Sequence, residues 1–158
     1  MRLLEPLSYI VDSLHWFEKN QLVDATLALL RKVRWAPLVS IGLYAIVCLR
    51  APIPHAPKSV VLLVIAALAL GLVAVIFFVR RKLITAAETV LASQPNDPAA
   101  LARLRGGYIM IWAFTESIVL YGLVLRYLGF SFTQVTPFFV GGFALMLFMP
   151  PRRPAENR

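Results

Sequence analysis

Charged side chains are scarce in this sequence. They make up 15% of its 158 residues, against 59% hydrophobic. With a mean hydropathy of +0.75, that scarcity excludes an ordinary soluble domain, in which about a quarter of the residues are charged. Acidic residues are the rarer kind, 8 against 16 Lys and Arg, for a net charge of +8. Basic residues that flank apolar runs face the cytoplasm and anionic headgroups, so the excess does not imply nucleic acid. The single cysteine, Cys48, rules out an intrachain disulfide and is expected to pack as a small apolar group. The two histidines, His15 and His55, lie far apart, with no cysteine or carboxylate cluster at ligand spacing, so no metal site is expected. No nucleophile elbow, metalloprotease helix or glycine-rich phosphate loop occurs. Neither an enzyme nor a cofactor is therefore expected. Glu5 and Asp12 interrupt the region where an apolar signal core would lie, so no cleavable signal peptide is expected.

What the chain does have is long apolar runs separated by strong breaks. Residues 1–34 mix charges with apolar residues at helical spacing: Leu7, Ile10, Val11, Leu14 and Phe17, then Val23, Leu27 and Leu30. Such a segment lies in the membrane interface or packs its apolar face on a bundle. Residues 35–50 form a first span, short for the ~20 residues a bilayer demands. Pro37 suits its first turn, and Pro52, Pro54 and Pro57 end it. Residues 59–79 form the clearest span, with no charge. Ala67, Gly71 and Ala74 share a face there at the spacing that lets another helix approach closely. Residues 80–106 form a polar connection, helical to about Ala92 and broken at Gln94–Pro98. Asn96 or Asp97 is the expected N-cap of the next helix, with Pro98 in its first turn. Residues 107–128 and 135–149 are the remaining spans, and 150–158 a polar tail. Gly141 and Gly142 are expected to permit close helix contact. The expected fold is all-α: an integral membrane bundle of about four transmembrane helices with an amphipathic N-terminal segment.

Basic residues set the orientation. Arg31, Lys32, Arg34, the five between Arg80 and Arg105, and Arg152, Arg153 and Arg158 fall on one side. Arg50, Lys58 and Arg126 fall on the other. Both termini and the 80–106 connection are thus expected in the cytoplasm, with the protein in a bacterial inner membrane. The basic groups at 31–34 and 80–82 are read as topology determinants, with an anionic-lipid site as the second reading.

Glu116 breaks the apolar pattern. At ~1.5 Å per residue it lies roughly 14 Å beyond Gly107, near the midplane of a ~30 Å hydrocarbon core. A carboxyl there needs a proton, an ion, a partner or water. Its own helix offers no compensating charge. Arg126 is about 15 Å along the axis and is expected to snorkel to the outer interface.

The run Ala113–Gly129 (AFTESIVLYGLVLRYLG) resembles the second helix of the c subunit, the proteolipid of rotary ATP synthases. In that family an intramembrane carboxylate is followed by a YGLV-like run, here Tyr121-Gly122-Leu123-Val124. Ser93-Gln94-Pro95 resembles the family's polar loop, and residues 59–79 would be the first helix of the hairpin. The resemblance covers about Val60 to Gly129. It implies that Glu116 carries a translocated proton or sodium ion, with Ser117 and Tyr121 matching the pattern of sodium-binding members. It departs from the family in several ways, among them a longer run from Gln94-Pro95 to Glu116 and the charge of Arg126 where the family is apolar. Residues 59–79 contain no glutamine, which a sodium site would need. Only Gly71 and alanines stand where the family has an alternating glycine motif. One further span lies on each side of the hairpin. A proton site needs only the carboxylate. The expected function is proton binding or translocation through Glu116, in a homo-oligomer or with a membrane-protein partner. The alternative is a non-catalytic assembly protein in which Glu116 is a structural hydrogen-bonding group.

Overall fold

A computed structural model of the chain describes residues 21, 23–50, 59–95 and 97–151. All regular structure among them is helical. Helix α1 covers residues 23–33 and meets α2, Trp35–Arg50, at a turn at Arg34. Helix α3 is Ser59–Val79, followed by a π-helical turn, Arg80–Ile84, and by α4, Thr85–Ser93. Helix α5 is Pro98–Tyr127 and α6 is Phe132–Phe148. Among the described residues, three stretches are long and apolar enough to cross a membrane: Val23–Arg50, Ser59–Ser93 and Pro98–Tyr127. Helix α6, with 17 residues, is shorter.

Helix α5 is the centre of the bundle. In its most apolar stretch 44% of residues are buried, against 11% for the α3–α4 rod. Its ends are chemically specified. Asp97 accepts a hydrogen bond from the Ala99 amide at 3.0 Å, and Pro98 follows in the first turn, where its missing N–H is no loss. At the other end Gly129 adopts φ 96°. The Phe130 amide donates to Leu125 and the Gly129 amide to Arg126, both at 3.1 Å. This is a Schellman stop, and it needs a left-handed residue where glycine carries no Cβ penalty. Ser131 and Gln134 then form a reciprocal capping box that starts α6. The helix therefore begins at Phe132, three residues before the boundary the apolar run suggests, and Gln134 lies inside its first turn.

Glycines set the α5–α6 contact. A Cβ on Gly122 would lie 2.9 Å from Phe138 Cβ, and one on Gly142 would collide with the Val119 side chain. A Cβ on Gly141 would meet nothing within 4 Å. Gly107 brings α5 against the π-helical turn, where a Cβ would lie 2.9 Å from Ile84 Cγ1. Outward, the bundle is apolar: Val60, Leu63, Leu70, Phe78, Val140 and Phe148 are all exposed. Such a surface suits a lipid bilayer better than water.

In α1, Val23, Thr26, Leu27 and Leu30 are buried, and Arg105 donates to the Thr26 hydroxyl at 2.6 Å. The described part of the amphipathic segment therefore packs on the bundle. Residues 1–20, His15 among them, and His55 in the proline-rich connection fall outside the described residues, as does the tail beyond Pro151.

Candidate functional site: a carboxyl–phenol pair between two parallel helices

Arginines at opposite ends of the bundle set the direction of α2. At one end Arg34 donates to the carbonyls of Met146 (2.7 Å) and Leu147 (3.3 Å), which terminate α6. The Tyr108 hydroxyl donates to Pro150 at 3.4 Å near the same end. At the other end Arg126 is buried, 5% exposed. Its Nε donates to the Cys48 carbonyl at 3.0 Å and its Nη1 to Phe130 at 3.1 Å. Cys48 lies in the last turn of α2, where carbonyls have no partner within the helix and a cation is favoured. The snorkelling expected of Arg126 is thus replaced by an inward clamp. The carbonyl ends of α2 and of the α5–α6 turn give its guanidinium more than the interface would. These contacts make α2 antiparallel to α6 and parallel to α5.

Tyr44 of α2 and Glu116 of α5 meet between the two parallel helices. The Tyr44 hydroxyl donates to Glu116 Oε1 at 3.1 Å. Both residues are half-buried, so the pair lies at the edge of the bundle and not in its sealed core. One turn before Glu116, Trp112 is buried and, among the described residues, its indole N–H has no hydrogen-bond partner. Its ring lies 6.0 Å from that of Tyr108, tilted by 37°.

The other expected ion ligands are arranged differently. Ser117 donates its hydroxyl to Ala113 within its own helix at 2.9 Å. Tyr121 is half-buried and sits about 140° around the helix from Glu116. Among the described residues, the hydrogen bond to Glu116 comes from Tyr44 and not from Ser117 or Tyr121. Ala67, Gly71 and Ala74 all face outward, and a Cβ on Gly71 would meet nothing within 4 Å. The face of α3 that enters the bundle carries Ala69, Ile76 and Val79 instead.

Tyr44 was not among the residues singled out from the sequence. One signal pointed to it. It is the bulkiest polar side chain near the middle of the 35–50 span, and a polar group at membrane depth is satisfied by another helix. Glu116 presents the same need at the same depth. Among the described residues, no group of three or more His, Cys, Asp or Glu is placed to hold a metal ion. Comparison with known protein families, with curated proteins and with solved structures finds no match to this chain.

Proposed function

We propose that this is a four-span membrane protein, with α6 as its short fourth span, that binds a proton reversibly at Glu116 in the manner of a proteolipid. The observation that carries the reading is the half-buried position of Glu116 midway along α5, bonded among the described residues through Oε1 to Tyr44. Tyr44 can donate to Oε1 whether the carboxyl is neutral or ionised. Oε2 is then the atom that takes a proton from water and returns it. The partial exposure leaves Oε2 outside the sealed core, where a water path at the contact with a partner subunit can reach it. The outward small-residue face of α3 supports an oligomer or a membrane partner, because close helix approach needs such a face. The excess of basic residues beside the spans supports cytoplasmic termini and an inner-membrane location.

A second reading is favoured by the same hydrogen bond. Tyr44 and Glu116 join two helices, and a carboxyl used only for that purpose assembles the bundle and moves nothing.

Two substitutions separate the readings. Glu116→Gln keeps an oxygen for Tyr44 and removes the exchangeable proton. Glu116→Leu removes both. Labelling by a hydrophobic carbodiimide, which modifies protonated carboxyls, and proton flux in proteoliposomes are the measurements. Proton binding predicts wild-type labelling that declines as pH rises, and loss of flux in a folded Glu116→Gln protein. Wild-type behaviour of the Gln variant, with destabilisation only in the Leu variant, would establish the structural role and end the proton reading.

A further inference from the structure

Away from Glu116, the α2 N-terminus and the α6 C-terminus enclose an open groove of ≈ 650 Å³ lined by Arg31, Arg34, Trp35, Leu38, Phe143 and Leu147. Its chemistry is graded from one end to the other. Two guanidinium groups and an exposed indole, Trp35 at 68%, occupy the rim. Below them the walls are apolar, and Phe143 and Leu147 are exposed. Trp at that level is the ordinary residue of the membrane–water interface.

Arg34 supplies the informative detail. One of its terminal nitrogens is held on the carbonyls that end α6. Its Nε is buried and, among the described residues, has no hydrogen-bond partner. The guanidinium is therefore fixed in place beside the groove. Among the described residues no carboxylate pairs with Arg34 or Arg31. Two guanidinium groups at the mouth of an apolar groove are answered by an anion. In a bilayer, an anion attached to an apolar tail is an acidic phospholipid.

We infer that this groove binds one anionic phospholipid of the cytoplasmic leaflet, its phosphate on Arg31 and Arg34 and one acyl chain between α2 and α6 along Leu38, Phe143 and Leu147. The inference is independent of what Glu116 does. Arg31 is exposed and adds charge at the rim. Arg34 adds position, because its bonds to α6 hold the guanidinium where the phosphate must sit. The bound lipid would join the ends of two antiparallel helices that the chain itself bridges there through Arg34.

Native mass spectrometry of the full-length protein in detergent tests this. It would be offered phosphatidylglycerol or phosphatidylcholine with identical acyl chains. One retained phosphatidylglycerol and little phosphatidylcholine is the expected result. Each juxtamembrane basic residue contributes about 1 kcal/mol toward an anionic surface, which is about fivefold in retention. Arg31→Gln should lose about that factor. Arg34→Gln should lose more, but it also releases the end of α6. Leu38→Trp therefore serves as the second variant: it fills the groove with both arginines kept, and should exclude the lipid. Arg103→Gln, an exposed basic change elsewhere, should leave retention unchanged. Equal retention of the two lipids, or equal losses for Arg31→Gln and Arg103→Gln, would overturn the site. So would full retention by Leu38→Trp.

Discussion

Tyr44 and Glu116 meet midway along α2 and α5, where water competes weakly for hydrogen bonds. Even so, one such bond is modest. Interhelical side-chain bonds in membranes average about 0.6 kcal/mol and reach about 1.7, because the unfolded helices also find partners. Tyr44→Phe should therefore lower stability in detergent titration by about 1 kcal/mol while the fold persists. A loss beyond about 3 kcal/mol would mean that the hydroxyl does more than join one pair. Arg126 is the costlier residue. It ties the end of α2 to the α5–α6 turn from a buried position, and removing it leaves carbonyls without a donor. At this scale Glu116 was legible as a charge in an apolar helix, whereas Tyr44 and the inward turn of Arg126 were not. Each depends on a neighbour far away in sequence, Glu116 on residue 44 and Arg126 on residue 48, and no local pattern encodes that distance.

At the scale of elements, the α5–α6 hairpin is the most fully specified part of the chain. A contact glycine, a glycine stop, a Ser–Gln start and a second contact glycine follow one another along the sequence. The two adjacent glycines of α6 separate packing from composition. Gly142→Leu drives a side chain into Val119, whereas Gly141→Leu extends into open space. Overpacking of this kind costs about 1–3 kcal/mol. Gly142→Leu should lower the thermal midpoint clearly and Gly141→Leu should leave it nearly unchanged. Equal effects would show that the contact is not as close as described. The Asp97 cap, the Pro98 first turn and the break at Gln94–Pro98 were legible because capping chemistry is local. The π-helical turn at Arg80–Ile84 was not. Its sequence, RRKLI, carries no breaker, and the turn packs against Gly107 of α5, a contact distant in sequence.

For the molecule as a whole, the apolar exterior and the basic bias lead to a topology that can be checked. In a Cys48→Ala background, a cysteine replacing Gln94 should react with an impermeant maleimide only from the cytoplasmic side. One replacing Thr133, exposed in the first turn of α6, should react only from the opposite side. Reversed reactivity would refute the orientation drawn from Lys and Arg. The sequence by itself determined that the chain is helical, that its long runs suit a bilayer, where several helices end, and that Glu116 is out of place. Each follows from composition, spacing or a cap, all written over a few neighbouring residues. The tertiary structure alone decided which face of α3 turns inward, how α1 joins the bundle, and which side chains satisfy Glu116 and the end of α2. The physical reason is plain in α3. Every residue from Ser59 to Val79 except the first is apolar, so polarity marks no inner face. The fit of Ala69, Ile76 and Val79 against their neighbours selects it, and leaves Ala67, Gly71 and Ala74 on the outside.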